Sequence, residues 1–457
     1  MPKKKTALTI EERLQQALVP AEEQPYEVPE NWVWVRLGSL LKEIKNGTTI
    51  KQDKSGNGFS VTRIESLQNQ TIDLMRVGTI LETEKIKETD WYKSGDITLS
   101  HINSIEHVGK TALITDAMLP LVHGMNLLRL RFFEIYTPDL FQLYSQTYQY
   151  KNEIRSRINM AVNQVSINQK QLSSLEIPLP PLSEQQRIVE RIEELFAKLD
   201  EAKERLQEVV DSFAVRKAAI LHKAFTGELT KQWRLENGVS DESWEEKTIG
   251  EICSSLKYGT SKKYSDDGEV VVLRMGNLQN GEIDWSNLAY TSDEEDIKKY
   301  LLKSGDVLSN RTNSPELVGK TSIYRGEMPA IYAGYLIKFD YEKNIVVGDY
   351  LNYYLNSSKA KEYYMQVKTD GVSQSNINAK KIGEFEIPLP TISEQHEIVR
   401  FINDLLARER AAQQATEQAL ASIDLMKKSI LARAFRGELG TNKASALELL
   451  KQVLAEN

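Results

Sequence analysis

The sequence predicts an α+β protein with a pseudo-two-fold internal repeat, in which two mixed α/β domains are joined by two long helices that pair as an antiparallel coiled coil. Three observations support this fold class. One motif occurs twice, about 210 residues apart, and each copy opens a long amphipathic helical pattern. The segment before each copy mixes short strand-like runs with helical ones. We therefore expect a duplicated half-protein rather than a short-period solenoid.

The repeat begins with IPLPPLSEQQRIV at 177–189, which returns as IPLPTISEQHEIV at 387–399. Downstream, RKAAILHKAFTGEL returns as MKKSILARAFRGEL, and neither copy has an insertion between its two motifs. Constant spacing over about 40 residues is what a rigid helix would impose. Looser matches extend the register upstream, pairing 37–48 with 249–260, 61–73 with 272–284, 93–111 with 303–321, and 165–171 with 375–381.

The first long helix is predicted to start at Ser183, because Ser183 and Gln186 form a capping-box pattern behind prolines that keep the chain extended. In the second copy Ser393 is the predicted cap, and His396 leaves the box incomplete. Apolar residues then recur with the 4-3 spacing of a coiled-coil seam. The seam positions are Ile188, Ile192, Leu195, Leu199, Ala202, Leu206, Val209 and Phe213 in the first copy, and Ile398, Ile402, Leu405, Glu409, Ala412, Thr416, Ala419 and Ile423 in the second.

A seam of this kind needs a partner, and two interpretations are open. Each helix could pack only on its own globular domain, or the two helices could pair with each other. We favour pairing because both helices carry the same stripe over the same length, and a two-fold relation makes the pair antiparallel. A helix of about 40 residues spans roughly 60 Å, so the pair would be a rod between two domains.

The connections between the repeated parts suggest a circle that has been cut open. The segment after the first long helix leads into the second domain, whereas the missing equivalent link appears at the N-terminus, where Thr9 and Glu12 offer a capping box for a short helix. The predicted division is an N-terminal segment packing near the C-terminus (1–30), a first domain (31–180), a first long helix (181–230), a linker (231–243), a second domain (244–390), a second long helix (391–440) and a C-terminal tail (441–457).

Within each domain one helix is predicted from the apolar pattern, at 138–158 and at 348–367. The aromatic stripe Phe141, Tyr144 and Tyr148 is interpreted as core packing, with base stacking as the alternative. Each domain also carries a VGKT sequence, ending at Thr111 and Thr321. A phosphate-binding P-loop needs an additional glycine where Ser104 and Ser314 stand, so Gly109 and Gly319 are predicted to be turn residues.

Composition sets further bounds. The chain has 457 residues, a formal net charge of −7 and one cysteine, so no intrachain disulfide can form. A reducing cytoplasm fits this cysteine usage. The basic N-terminus lacks an apolar core and is not expected to be a signal peptide. The sequence contains no run of about 18 apolar residues, so no membrane-spanning helix is predicted. The five histidines show no metal-ligand spacing and no catalytic motif is found, so we expect a chain without catalysis, metal or cofactor of its own.

Polar side chains flank the predicted strands at matching positions in both domains, as a recognition surface built from loops requires. Arginine and lysine can read guanine, and asparagine and glutamine can read adenine, through hydrogen bonds in the major groove. For each residue the alternative is an ordinary solvated or structural role. The candidate DNA-contacting residues are Thr48, Arg63, Ser66, Gln68, His101, Asn103 and Asn168 in the first domain, and Thr260, Lys262, Arg274, Asn277, Gln279, Asn310, Arg311, Asn313 and Asn378 in the second.

The repeated IPLPPLSEQQRIV and KAFTGEL motifs, with LGSLLKEIKNGT near the start of the first domain, closely resemble the specificity (S) subunits, or HsdS family, of Type I restriction–modification systems. The resemblance covers essentially the whole chain. It implies two target-recognition domains that each read one half of a split double-stranded DNA site, and paired helices that set the unread spacer. It also implies docking of two methyltransferase (M) subunits, which methylate adenine N6, and of restriction/translocase (R) subunits.

The same resemblance places S-adenosylmethionine, ATP and Mg in the partner subunits, with no cofactor in this chain. Two features depart from the family pattern: an acidic second domain, and the polar seam residues Glu409 and Thr416. The alternative function is a non-catalytic coiled-coil scaffold without sequence-specific DNA binding. A scaffold that reads no DNA sequence would not account for two large domains that have diverged in their polar loops.

Overall fold

The computed structural model describes residues 9–53, 57–161, 164–371, 374–439, 447 and 450–451. The chain divides into two compact units. Unit 1 comprises Met1–Arg205 with Ala419–Asn457, and unit 2 comprises Leu206–Gln418. Two long helices contribute residues to both units, and these are α5 (Leu182–Phe225) and α12 (Ile392–Ala434), of 44 and 43 residues.

The remaining helices of unit 1 are α1 (Ile10–Ala17), α2 (Pro138–Tyr144), α3 (Tyr148–Arg157) and α4 (Gln169–Ser173). Its strands are β1 (Val33–Arg36), β2 (Leu41–Asn46), β3 (Phe59–Val61), β4 (Leu67–Gln68), β5 (Thr71–Ile72), β6 (Gly78–Ile80), β7 (Ile97–Ser100), β8 (Ile102–Asn103), β9 (Thr111–Leu113), β10 (Leu127–Phe132), β11 (Asn159–Ala161), β12 (Gln164–Ser166) and β13 (Glu176–Leu179).

The remaining helices of unit 2 are α6 (Lys231–Asn237), α7 (Ile249–Ile252), α8 (Glu294–Tyr300), α9 (Gly348–Leu355), α10 (Ser358–Val367) and α11 (Ala379–Gly383). Its strands are β14 (Glu245–Thr248), β15 (Cys253–Tyr258), β16 (Val270–Leu273), β17 (Leu278–Gln279), β18 (Glu282–Ile283), β19 (Tyr290–Thr291), β20 (Val307–Asn310), β21 (Thr312–Asn313), β22 (Thr321–Ile323), β23 (Ala330–Tyr332), β24 (Leu336–Tyr341), β25 (Thr369–Asp370), β26 (Ser375–Asn376) and β27 (Glu386–Leu389).

The two units have matching sheets. Each contains an antiparallel four-stranded sheet, in the order β2-β10-β7-β9 in unit 1 and β15-β24-β20-β22 in unit 2. A small three-stranded sheet follows the same pattern, β11-β12-β8 against β25-β26-β21. The strand that enters each domain pairs antiparallel with the strand that leaves it, β1 with β13 and β14 with β27. The sequence repeat is therefore a repeat of topology.

The start of each long helix belongs to a globular core. In unit 1, Ile188 and Ile192 of α5 are fully buried with the sheet residues, and Leu431 in the last turn of α12 and Phe435 directly after it join the same cluster. Unit 2 uses the equivalent ends, burying Ile398 and Ile402 of α12 together with Leu221 and Ala224 of α5. Each unit thus buries the first turns of one long helix and the last turns of the other.

Glutamines of the repeated SEQ motif hold these helix starts in place. The Gln185 side chain donates to the carbonyls of Ile135 (2.8 Å) and Pro180 (2.9 Å) and accepts from the Thr137 amide (2.9 Å). Gln395 repeats the arrangement in unit 2 with the Ile345 and Pro390 carbonyls and the Val347 amide. Because a buried amide needs its hydrogen bonds satisfied, this residue fixes the helix against the domain in both copies.

The predicted helix starts were one or two residues late. Helix α5 begins at Leu182, so Ser183 lies in the first turn and not at the cap. Helix α12 begins at Ile392, and Thr391 supplies the cap by accepting a hydrogen bond from the Glu394 amide at 3.3 Å. Proline is tolerated immediately before a helix, where no N–H is needed, so the first helix starts directly after Pro181. The capping box predicted for Thr9 and Glu12 is confirmed.

The single helix predicted at 138–158 was wrong, and so was its counterpart at 348–367. Each is two helices, α2 and α3 in unit 1 and α9 and α10 in unit 2. The second helix of each pair has its own hydroxyl cap, because Thr147 accepts from the Tyr150 amide and Ser357 from the Ala360 amide. Phe141 and Tyr144 are core residues as predicted, but Tyr148 follows the break and is 78% exposed.

Candidate nucleic-acid interface

A groove of about 660 Å³ in unit 2 gathers several of the predicted DNA-contacting residues. Its walls come from the loop after β15, the β20–β21 junction and the loop before β24. Thr260, Lys262 and Arg311 line it, together with Lys263 and Tyr335, which were not among the residues predicted from the sequence. An adjoining cavity of about 310 Å³ shares Tyr264 and Tyr335 with the groove and contains Arg274 and Asn277.

Arg311 is the most clearly presented of these residues. Its amide donates to the Tyr335 carbonyl at 3.0 Å, and its own carbonyl accepts from the Ile377 amide at 2.8 Å. The guanidinium lies over the ring of Tyr258, 4.6 Å from the centroid. A cation–π contact of this kind orients the guanidinium plane without consuming its donors, so Arg311 remains able to hydrogen bond in the groove.

Unit 1 carries His101 at the position equivalent to Arg311. The His101 carbonyl accepts from the Ile167 amide at 2.9 Å, which repeats the Arg311–Ile377 bond. Burial lowers the pKa of His101, which favours the neutral imidazole. One scaffold position therefore holds a permanent cation in unit 2 and a neutral ring in unit 1.

Several other predicted residues are engaged in local structure. Ser66 and Asn277 are buried, and their side chains accept from the Arg63 amide at 3.0 Å and the Arg274 amide at 2.9 Å. Asn310 is also fully buried and donates to the Met275 carbonyl at 3.1 Å. These groups shape the turn between adjacent strands and are not presented to solvent.

The remaining amide side chains also have partners. Gln68 donates to the Glu65 carbonyl at 3.0 Å, and Gln279 donates to the Gly276 carbonyl at 2.9 Å. Asn103 and Asn313 each accept from the next residue's amide. Asn168 and Asn378 are exposed N-caps of α4 and α11, accepting at 2.9 Å from Gln171 and Lys381 amides. An exposed cap oxygen is already satisfied, but its amide NH₂ can still face a ligand.

Salt bridges and hydrogen bonds occupy most of the predicted cationic groups. Lys262 contacts Asp293 (2.8 Å), Asp296 (3.5 Å) and Glu295 (3.6 Å), and the Asp293 hydrogen bond raises the pKa of Lys262. The Thr260 hydroxyl donates to Asp296 in the same cluster. Three carboxylates of the acidic second domain therefore lie close to Lys262 and compensate its charge beside the groove.

Arg63 and Arg274, two further predicted DNA-contacting residues, interact with residues close to them in sequence. Arg63 contacts Glu65 at 2.6 Å, and Arg274 donates to the Asn287 side chain at 2.8 Å while lying 5.3 Å from the Tyr264 ring centroid.

Thr48 is half-buried, and its amide donates to the His123 carbonyl at 2.8 Å. Thr260 repeats that bond with Tyr332. Tyr258 precedes Gly259 and Tyr335 follows Gly334, so an adjacent glycine was the available sequence signal for these two aromatic residues, whereas Tyr264 has no glycine beside it.

The predicted seam residues divide into a buried group, a half-buried group and exposed positions; contrary to the prediction, Val209 is 40% exposed and Ala412 is also exposed. Ile188, Ile192, Ile398 and Ile402 are fully buried in the domain cores, and Phe213 and Ile423 are also buried. Leu195, Leu199, Leu206 and Leu405 are half-buried.

Ion pairs link the two long helices within each unit. In unit 1, Lys427 of α12 contacts Asp200 of α5 at 2.6 Å, and Lys203 contacts Asp424 at 3.8 Å. In unit 2, Arg216 contacts Glu409 at 2.8 Å, so the polar seam residue Glu409 has a partner on the other helix. The Thr416 hydroxyl donates to the Ala412 carbonyl one turn earlier.

A family model for the Type I restriction modification DNA specificity domain matches the chain twice, at residues 29–211 and 241–420. The chain belongs to this family. The two matches of this specificity family correspond to the two halves of the internal repeat. Within the described residues no cluster of three or more His, Cys, Asp or Glu side chains could hold a metal ion, and none of the helices there is long and apolar enough to cross a membrane.

Named members of the specificity family align along most of the chain. The MjaX specificity subunit of a type I restriction enzyme from Methanocaldococcus jannaschii is 32% identical over 418 residues, covering 87% of this chain and 92% of that protein. The EcoKI specificity subunit of Escherichia coli K12 is 27% identical and covers 94% of this chain and 96% of its own. Such coverage extends over most of both halves of the chain.

Solved structures agree in fold. The HsdS subunit from Thermoanaerobacter tengcongensis superposes with a TM-score of 0.64 at 19% identity, over 91% of this chain and all of that one. A chain from a structural study of complex assembly in a type I restriction–modification system gives 0.67 at 19% identity, with the same coverage. At this level of identity the likeness establishes the α+β fold of the specificity family.

Proposed function

We propose that this chain is the DNA-specificity subunit of a Type I restriction–modification complex, in which each unit reads one half of a bipartite site in double-stranded DNA. The observation that carries the proposal is that the two units share one backbone scaffold but present different side chains from it. The sheets have the same order, yet His101 and Arg311 occupy the same backbone position. Two domains with the same fold but different hydrogen-bonding side chains are suited to reading two different half-sites.

In unit 2 the groove supports major-groove readout by Arg311. Its guanidinium can donate two parallel hydrogen bonds to guanine O6 and N7, and a fixed side chain loses little conformational entropy on binding. Lys263, which is exposed, and the Tyr264 and Tyr335 rings supply phosphate and stacking contacts around it. In unit 1 the neutral His101 gives a different donor–acceptor pattern at the matching position.

The long helices are proposed to pair as an antiparallel coiled coil that separates the two reading domains by a fixed distance. Ion pairs between α5 and α12 in both units support an antiparallel arrangement, since residue numbers rise along one helix as they fall along the other. The 4-3 spacing of the seam agrees with coiled-coil packing. This frame would set the unread spacer and offer equivalent docking surfaces for two methyltransferase subunits.

Catalysis is assigned to partner subunits. The methyltransferase subunits would use S-adenosylmethionine to methylate adenine N6, and restriction/translocase subunits would use ATP and Mg. This chain would contribute recognition and assembly in the cytoplasm, where its DNA target lies.

The proposal is tested by mapping methylated adenines in DNA treated with the chain and its methyltransferase partner. The expected result is two short sequence blocks separated by a constant number of unread base pairs. A single continuous motif would contradict bipartite reading. A complex that assembles but shows no preference among duplexes would support the coiled-coil scaffold alternative instead.

A further inference from the structure

The VGKT turn of unit 1 is packed directly against helix α3. Gly109 has φ +79°, and a Cβ added there would lie 2.8 Å from the Ile154 side chain, so only glycine fits this approach. The Tyr150 hydroxyl donates to the Gly109 carbonyl at 2.9 Å, which fixes the turn on the helix. The following residue, Lys110, therefore shares a cavity of about 360 Å³ with Lys151 of α3.

Unit 2 repeats this geometry with different packing partners. Gly319 has φ +83°, and a Cβ there would lie 2.1 Å from the Tyr364 ring of α10. Lys320 and Lys361 line one cavity of about 250 Å³. Both lysines stand 210 positions after their unit 1 equivalents, so the turn, the helix and the two cations are all repeated.

A third cation reaches each cluster from a long helix. In unit 1, Lys428 of α12 lines a cavity of about 410 Å³ with Lys151 and Arg155, and burial together with Lys428 lowers the pKa of Lys151. In unit 2, Lys217 of α5 lines the cavity with Lys361, and burial together with Lys361 lowers the pKa of Lys217. Cations are therefore crowded at the same place in both units.

Few carboxylates compensate this charge. Among the described residues Lys110, Lys151, Arg155 and Lys428 make no ion pair, and neither do Lys217 and Lys361. Each cluster includes one glutamate, Glu106 or Glu316, and Glu316 is hydrogen-bonded to Ser314. Lys320 donates to the Gln279 side chain at 2.5 Å. The excess positive charge is complementary to an anion.

We propose that Lys110 and Lys151 in unit 1, and Lys320 and Lys361 in unit 2, form a matched pair of sites that bind the phosphate backbone of DNA independently of base sequence. The inference rests on the proposed DNA-reading function and deepens it. Phosphates are the same in every half-site whereas base edges differ. Residues that bind phosphate can therefore stay identical in two domains whose base-reading positions have diverged, as His101 and Arg311 have.

The test uses the chain in complex with its methyltransferase partner. A Lys110→Gln, Lys151→Gln, Lys320→Gln, Lys361→Gln variant should bind a target duplex and an unrelated duplex more weakly by a similar factor. Its slope of log affinity against log salt should become shallower by about 0.9 for each phosphate that the variant no longer neutralises. The control is Lys93→Gln with Lys303→Gln, which removes two exposed, repeated lysines outside the cavities and should leave the slope unchanged.

A footprint on the unaltered complex gives a second readout that needs no variant to fold. Bound DNA should protect Lys110, Lys151, Lys320 and Lys361 from acetylation, while Lys93 and Lys303 stay reactive. An unchanged salt slope, or reactive cluster lysines in the presence of DNA, would overturn the inference. Loss of the methyltransferase from the variant complex would also overturn it, by assigning the clusters to protein docking. Failure of the wild-type complex to bind any DNA would instead refute the proposed function.

Discussion

The Arg216 guanidinium of α5 donates from Nε to the Glu409 carboxylate of α12 at 2.8 Å, inside unit 2. Glu409 occupies a position where the first helix has the apolar Leu199, so the charge pair takes the place of a hydrophobic seam contact. Arg216 also lies 4.3 Å from the Phe213 ring centroid. The polar departure in the second seam is thus compensated by a residue contributed by the first helix.

A double-mutant cycle measures this pair. With Arg216→Gln, Glu409→Gln and the combined variant, the coupling energy should be about 0.5–1 kcal/mol, as for a partly exposed ion pair. The readout is the free energy of unfolding from urea denaturation at low and high salt. A coupling that is zero at low salt would show that the contact does not help to hold the two helices together.

Loss of the cation that pairs with a buried carboxylate at the start of α12 should destabilise the fold more than loss of the Arg216–Glu409 pair. Glu394 is fully buried and accepts from Arg234 Nη1 (2.6 Å), Thr230 Oγ1 (2.6 Å) and Trp244 Nε1 (3.1 Å). Arg234→Met would leave a buried charge without its cation and should cost about 3–5 kcal/mol. Adding Glu394→Gln removes that charge and should restore part of the loss. Hydrogen exchange in β27 provides the readout, and equal losses in the single and double variants would contradict the role of the charge.

Stability of unit 1 should depend on His123. This ring is 1% exposed, its Nε2 lies 3.0 Å from the Leu127 carbonyl, and burial lowers the pKa of His123 to about 3. The unfolded chain takes up a proton below about pH 6.5 while the folded chain does not, so this contribution to stability is present above pH 6.5 and lost as pH falls toward 3.

Comparison with His123→Gln isolates that contribution. Between about pH 6 and pH 4 the wild-type chain should lose about 1.4 kcal/mol per pH unit more than the variant. Urea denaturation across the pH series gives both curves. Parallel curves would mean that His123 is protonated in the folded chain and would contradict its burial as a neutral ring.

A matched insertion tests the helices as a spacer ruler. Seven residues added after Ala202, with a compensating heptad in α12 near Asp424, preserve the 4-3 seam and lengthen the helices by roughly 10 Å. Since the DNA rise is about 3.4 Å per base pair, methylation mapping should show the same half-sites about three base pairs further apart. An active complex with an unchanged spacer would show that another element sets the distance.

Much of the fold could be predicted because the same signals occur twice. The repeated motif located both long helices, and the apolar spacing identified Ile188 and Ile402 as buried residues. The break between α2 and α3 was missed because apolar periodicity continues across it, whereas the deciding feature is one hydroxyl cap at Thr147. Sequence also could not separate buried Asn310 from presented Arg311, because both are polar and only the structure shows that Asn310 ends buried strand β20 whereas Arg311 lies in the junction between β20 and β21.

The candidate site residues were predicted from residue type alone. Whether each one is free to contact DNA depends on the side chains that the fold places beside it. Lys262 looked like a phosphate or base contact, but Asp293 and its neighbours come from a segment about 30 residues later. The aromatic support of Arg311 by Tyr258 likewise depends on a contact across more than 50 residues. Such pairings depend on how the loops fold together, which no local pattern specifies.

The most direct test of independent half-site reading is methylation mapping with two single variants. Arg311→Ala and His101→Ala complexes, each with the methyltransferase partner, are compared with wild type on the same genomic DNA. Removing one bidentate contact costs about 1–3 kcal/mol of discrimination. We predict that Arg311→Ala relaxes the sequence of one half-site only, that His101→Ala relaxes only the other, and that the spacer stays constant. A single change that alters both half-sites would contradict the assignment of one reading surface to each unit.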